Sequence, residues 1–300
     1  MSKLALVFAG QGAQNVGMGQ DLYDAFSSVK ELYDMSAAIR DLCFRGPKEQ
    51  LDITVNTQPA VFLTDLACAS ALSEKGIKAG GVAGFSLGEI AAACYAGIMS
   101  RSQAFNFVCH RAKAMHECAQ KSKGNMFAVL KLADEKVEEI CGSLTGTYPA
   151  NYNSPGQVVV ACAESSAEEL QDAVKENGGK TIKLAVSGAF HSPFMDAASE
   201  SVAGYLVKER LNRFEIPIYS NTTAQVYDID ITKELLAKQI NHPVLWQKTI
   251  ENMIDDGFDT FIEVGPGKTL SGLIKKINPD VTVHNVSDLQ SLEKTVNELS

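Results

Sequence analysis

The sequence predicts an α/β protein: a parallel sheet covered by helices, with a smaller α/β unit inserted mid-chain. Three observations carry that expectation. Short apolar runs alternate with amphipathic helical segments along most of the chain. Between about residues 125 and 189 the order of elements changes. The length, 300 residues, exceeds one minimal domain yet falls short of two full ones.

In chain order, residues 4–9 are a continuous apolar run, as expected of a strand buried on both faces. A helix is expected over 58–75, a strand over 81–85 and an Ala-rich helix over 89–96 stopped by Gly97. Ser100 and Gln103 form an S-x-x-Q capping box opening a long helix to Lys121. The inserted unit then reads strand 125–131, helix 134–141, strands 148–153 and 157–162 joined at Ser154-Pro155-Gly156, a helix from about Ala167, and strand 180–186. Ser165 and Glu168 offer that second helix a capping box. This β-α-β-β-α-β order is the ferredoxin-like motif. It divides the chain into a core of 1–124 and 190–300 and a subdomain of 125–189. The core resumes with a helix over 193–209, entered through Ser192 and Pro193, and with strands over 216–219, 260–264 and 281–284.

Lys and Arg number 27 against 36 Asp and Glu, a net charge of −9, which argues against broad nucleic-acid binding. No apolar run approaches the roughly 18 residues of a membrane-spanning helix, and 4–9 is too short for a signal peptide. The seven cysteines are scattered with no C-x-x-C, so neither a disulfide framework nor a metal site is expected. A cytoplasmic monomer without metal or cofactor is the expectation.

Gly84-Phe85-Ser86-Leu87-Gly88 matches G-x-S-x-G between a strand and a helix. A G-x-S-x-G can be an ordinary glycine-rich turn, but these flanks suit a nucleophile elbow, with Ser86 at a helix N-terminus where the dipole favours a developing oxyanion. A serine nucleophile needs a base. Of the five histidines, His110 and His116 fall on a charged helix and are expected to be solvated, and His284 ends a strand. His191 precedes a helix entrance and lies downstream of Ser86, the order this kind of fold uses. Loop histidines are as a rule inert, and position alone does not decide. No third acid is evident: Asp134 and Asp172, the aspartates between Ser86 and His191, both fall on helices of the insert.

Arg111 sits on an apolar stripe with Ala104, Val108 and Met115, so it points where the core should be. Such a guanidinium keeps its charge and needs an anion or carbonyls. A structural ion pair or snorkelling would satisfy it; so would the carboxylate of a substrate. After the first strand, Gly10-Gln11-Gly12 is a poor dinucleotide fingerprint. It is better suited to half of an oxyanion hole, with the N–H of Gln11 partnering that of Leu87.

With these residues in place, the chain resembles the malonyl-CoA:acyl carrier protein transacylases and related acyltransferase domains. The resemblance runs through Gly10–Gln14, Gly84–Glu89, Arg111, the run NSPGQVVV from Asn153, GAFH ending at His191, Gln239 with Pro243, Val244 and Trp246, and EVGPGK from Glu263. It implies an α/β-hydrolase-like core and ping-pong transfer of malonyl from malonyl-CoA to acyl carrier protein through a Ser86 ester. In that pattern His191 is the base, the carbonyl of Gln239 orients it, and Arg111 holds the malonyl carboxylate. Phe190 matches the bulky residue of malonyl-selective members. Carrier proteins are acidic, which makes Lys180, Lys183, Lys275 and Lys276 candidate docking residues. One position departs from the family: histidine usually precedes the nucleophile, and here Phe85 does. A trans-acting polyketide acyltransferase, a serine thioesterase or esterase on the same elbow, and a silent acyl-binding component are the competing readings.

Overall fold

The computed structural model describes residues 3–299. Its strands are β1 (Leu4–Phe8), β2 (Gly81–Gly84), β3 (Gly124–Leu130), β4 (Thr147–Ser154), β5 (Gln157–Ala163), β6 (Lys180–Lys183), β7 (Ile218–Tyr219), β8 (Thr260–Val264) and β9 (Thr282–Val286). They form two sheets, a five-stranded one in the order β7-β2-β1-β8-β9 and a four-stranded one in the order β4-β5-β3-β6. Every pairing in the first is parallel and every pairing in the second antiparallel. The fold is therefore mixed α/β with a small antiparallel sheet.

β1 lies at the centre of the parallel sheet, and its run Ala5-Leu6-Val7-Phe8 is fully buried. That burial on both faces is why the run is apolar without alternation. The helix Thr54–Glu74 is buried nearly all round and packs against the helices Leu87–Tyr95 and Arg101–Lys121.

The antiparallel sheet alternates, and the alternation assigns its two faces. Phe127 and Val129 of β3 and Val158 and Val160 of β5 pack with Val137, Ile140, Leu170 and Val174 of the two covering helices. The intervening Met126, Ala128, Val159 and Ala161 instead join the large core of the main body. β4 is tied to the body by backbone bonds from Val244 N–H to Ala150 O and from Tyr152 N–H to Val244 O, each 2.9 Å.

Several sequence expectations are corrected. The helix Ala167–Glu176 is not opened by a Ser165–Glu168 box; Ser166 stands at its N-cap, and its hydroxyl donates to the carbonyl of Thr145. β6 ends at Lys183, short of residue 186, after which Leu184 adds one N–H bond to Met126 before the chain leaves the sheet. β7 is only Ile218–Tyr219, because Pro217 has no N–H to give a ladder. β9 extends to Val286, placing His284 inside the strand with its Nδ1 3.0 Å from Glu298. His110 is half-buried and stacked on Tyr205 at 4.6 Å, and His116 is also half-buried. Among the described residues no helix is long and apolar enough to cross a membrane.

Candidate active site

Parallel strands present their carboxyl ends at one edge, the usual place for ligands in α/β sheets. Here Gln11 follows β1, Ser86 follows β2 and Asn221 follows β7 at that edge. Ser86 caps the helix Leu87–Tyr95 with φ 54° and ψ −105°, a left-handed conformation rare for a side-chain-bearing residue. Asn221 holds that turn: its Oδ1 accepts the Ser86 N–H at 2.7 Å and its amide donates to the Gly84 carbonyl at 2.6 Å. Both glycines of the motif are sterically required. A Cβ on Gly84 would overlap the Gly88 backbone, and one on Gly88 would overlap the carbonyls of Phe8 and Ala9.

His191 meets the serine: its Nε2 lies 2.7 Å from Ser86 Oγ, and its Nδ1 lies 2.7 Å from the Gln239 carbonyl. A carbonyl can only accept, so Nδ1 carries the proton and Nε2 is left to accept from the hydroxyl. The backbone of His191 is itself strained, at φ 58°. Ser192 does not cap the following helix with its side chain; its hydroxyl donates back to the Ala189 carbonyl, tightening the loop that presents the ring. Burial, and next the charge of Arg111, pull the His191 pKa from 6.5 to about 4. The imidazole is neutral at physiological pH, the form able to take a proton from Ser86.

Arg111 is completely buried, as its place on an apolar stripe required. It neither snorkels nor forms an ion pair among the described residues. Its guanidinium donates to Gln58 Oε1 and Gln239 Oε1, each at 2.7 Å, and to Ser86 Oγ at 3.3 Å, while Nε has no partner. Burial lowers its pKa to about 10, with Glu89 opposing, so it remains charged at neutral pH. Gln239 is the junction of the site. Its backbone carbonyl accepts from His191 and its Oε1 from Arg111, while its Nε2 donates to Glu89 at 2.8 Å and to the Ser86 carbonyl at 2.5 Å. Glu89 also accepts from Tyr227 O–H and Asn221 N–H. Burial pushes it up to about 7 against these bonds.

Of the remaining sequence candidates, Leu87 adjoins Ser86, Gln11 and Phe190 line the cleft around it, and the four lysines are not among the lining residues. Leu87 is the first residue of its helix, one of the N–H groups a helix start leaves unpaired. The side chain of Gln11 lies 3.4 Å from both Thr54 and Gln58. Gln11, Ser86, His191 and the buried Phe190 line one cleft, walled on the far side by Met126 and Val159 of the antiparallel sheet. Phe85 lines it too and packs edge-on against Trp246 at 5.5 Å. Lys180 and Lys183 are exposed on β6. Lys275 bonds the Pro279 and Val281 carbonyls, and Lys276 bonds Gln157.

Sequence reasoning missed Gln58, Glu89 as a partner, Asn221 and Tyr227. The signal that exposed Arg111, a polar residue on an apolar helix face, was also present at Gln58 and Glu89. Nothing local marks Asn221, which acts 135 residues from Ser86.

The acyl transferase domain family matches residues 5–293. The chain belongs to this family, among the malonyl-CoA:acyl carrier protein transacylases. The malonyl CoA-acyl carrier protein transacylase of Bacillus subtilis is 37% identical over 311 residues, covering 100% of this chain and 98% of that protein. The Staphylococcus aureus transacylase is 38% identical over 304 residues, covering 98% of each. The crystal structure of the Clostridium perfringens transacylase superposes with a TM-score of 0.96 at 41% identity, covering 99% of this chain and 97% of that one. A malonyl-transacylase solved in complex with its holo type II polyketide acyl-carrier protein superposes at 0.95 with 31% identity, covering 99% and 100%. Against the transacylase pattern, the histidine expected before the serine is replaced by the ring of Phe85, which Trp246 packs against.

Proposed function

We propose that this chain transfers the malonyl group of malonyl-CoA to the phosphopantetheine thiol of acyl carrier protein, in fatty acid biosynthesis, by a ping-pong mechanism. The observation that carries the reading is the line Ser86 Oγ, His191 Nε2, His191 Nδ1, Gln239 O, each contact 2.7 Å, beside a buried arginine that forms no ion pair among the described residues. As Ser86 Oγ attacks the thioester carbon, its proton passes to His191 Nε2. The resulting imidazolium is steadied by the Gln239 carbonyl, in the place an aspartate takes elsewhere. The N–H groups of Gln11 and Leu87 receive the oxyanion. Collapse breaks the carbon–sulfur bond, His191 protonates the leaving CoA thiolate, and a malonyl-Ser86 ester remains. The carrier thiol then gives its proton to His191, attacks the ester and leaves as malonyl-carrier, returning the proton to Ser86.

Arg111 pairs with the free malonyl carboxylate, and Phe190 limits room beside the acyl carbon. Exposed Lys180 and Lys183 lie just before the 184–191 segment that leads to the histidine, and they face the acidic carrier together with Lys275 and Lys276. The strand order β4-β5-β3-β6, with both helices on one face, supports a ferredoxin-like subdomain inserted in an α/β-hydrolase-like core.

The test is mass analysis of holo-carrier incubated with malonyl-CoA and enzyme. Wild type adds one malonyl per carrier and Ser86→Ala adds none. Release of free malonate at the same rate without carrier would make the protein a hydrolase instead.

A further inference from the structure

Gln58 is 1% exposed on the helix Thr54–Glu74, and no step of the chemistry above uses it. Its Oε1 accepts from Arg111 Nη1 at 2.7 Å. A guanidinium only donates, so this bond fixes which way the carboxamide faces. Nε2 then points to two acceptors, Met115 Sδ and Gln11 Oε1, each at 3.4 Å. Gln239 Oε1, the other amide oxygen on Arg111, is fixed likewise, because Gln239 Nε2 donates to Glu89 and to the Ser86 carbonyl. Two uncharged, immobilised oxygens thus orient a buried cation that has no ion pair among the described residues. That is unusual, since buried arginines are as a rule paired with carboxylates. A glutamate side chain has the length and branching of glutamine, and one of its oxygens would occupy the place of Gln58 Oε1. The amide at this position therefore decides whether the nearest oxygen to Arg111 carries charge.

We infer that Gln58 determines donor selectivity: being neutral where an acid would fit, it keeps the charge of Arg111 for a carboxylate on the acyl donor. This rests on the transacylase reading. With an acid at position 58 the guanidinium would be neutralised from within the protein. An incoming malonyl carboxylate would then meet a like charge beside its own place, an arrangement that disfavours its ionised form. An acetyl donor brings no charge, and it would no longer leave a buried cation without an anion. The one change hinders malonyl and helps acetyl. Gln58 acts on the donor through Arg111 and is a positioning residue. Glu89 does not play the same part, because it stands behind Gln239 and reaches the guanidinium through that side chain.

The experiment measures acylation of Ser86 by malonyl-CoA and by acetyl-CoA, quenched and read by intact mass, in wild type, Gln58→Glu and Gln58→Met. Methionine keeps the volume and removes the oxygen without adding a charge. Gln58→Glu should lower the malonyl-to-acetyl ratio of kcat/KM by about thirtyfold or more, the low end for a lost buried charge pair. Gln58→Met slows both donors through the lost bond to Arg111, and its ratio stays at or above that of wild type. The contacts of Nε2, lost in both variants, affect both donors and cancel in the ratio. A smaller fall in Gln58→Glu overturns the inference. So does an equal fall in Gln58→Met, which would mean that Gln58 aims the guanidinium rather than sparing its charge. If a thermal melt shows that Gln58→Glu does not fold, Gln58→Met decides alone: a ratio below wild type overturns the inference, and one at or above it supports it. A wild type that takes no malonyl, or takes acetyl as readily, would overturn the transacylase reading and the inference with it.

Discussion

Replacing Arg111 with methionine removes the guanidinium while keeping most of its volume, and the consequence can be worked from its surroundings. Arg111 is fully buried, and among the described residues its guanidinium bonds only to the amide oxygens of Gln58 and Gln239 and to Ser86 Oγ. No described acidic side chain lies within ion-pair distance of it, Glu89 acting on its charge from the far side of Gln239; under the proposed function a malonyl carboxylate would be its direct anionic partner. Losing one partner of a buried, hydrogen-bonded charge pair costs about 2–5 kcal/mol, or roughly thirty-fold to several-thousand-fold in kcat/KM. An acetyl donor has no carboxylate to lose, and it leaves the wild-type guanidinium without an anion. Part of the damage, through the contacts of Arg111 with Ser86 and Gln239, falls on both donors and cancels in their ratio. Quenched acylation read by intact mass, with malonyl-CoA and acetyl-CoA in parallel, should show the malonyl-to-acetyl preference fall by at least thirtyfold. If both donors slow by one factor and the ratio holds, Arg111 serves the serine rather than the carboxylate, and the selectivity argument is refuted.

Acid should affect activity and stability through His191. With its folded pKa near 4, acylation kcat/KM stays level from pH 8 to about 5 and is half lost near pH 4; a midpoint near 6.5 would contradict this. A folded pKa below the unfolded 6.5 means that the unfolded chain takes up the proton first. Stability therefore falls as pH drops from 6.5 through 4, by at most about 3 kcal/mol, and denaturant titrations of His191→Gln should lack that part of the slope. Gly88→Ala should cost more than about 3 kcal/mol or prevent folding, since its Cβ overlaps the backbone of the central strand. Gly272→Ala, in an exposed helix interior with open space around it, should instead gain about 0.5–1 kcal/mol; thermal melts compare the two.

Where a residue's role depends on its neighbours in sequence, it could be read without coordinates. A continuous apolar run located β1, a short largely apolar run located β8, and glycines at fixed offsets around Ser86 announced the elbow that the Gly84–Gly88 packing requires. Arg111 was visible because a charge on an apolar stripe breaks a local pattern. Short edge strands were less distinct: β6 stops three residues early, since after Lys183 the chain turns to deliver His191 and the alternation on which the longer strand rested no longer reports pairing. The polar junction at Gln239 was beyond local reasoning altogether. Its partners Ser86, Glu89, Arg111 and His191 lie 48 to 153 residues away, and only the resemblance to a family pointed there.

The most direct measurement is the site of the covalent intermediate. Wild-type enzyme mixed briefly with malonyl-CoA, acid-quenched, digested and sequenced by mass spectrometry should carry one malonyl group, on Ser86, which disappears on adding holo-carrier as malonyl-carrier forms. A malonyl group on another residue, or carrier malonylated at the full rate by Ser86→Ala, would contradict acyl transfer through this serine.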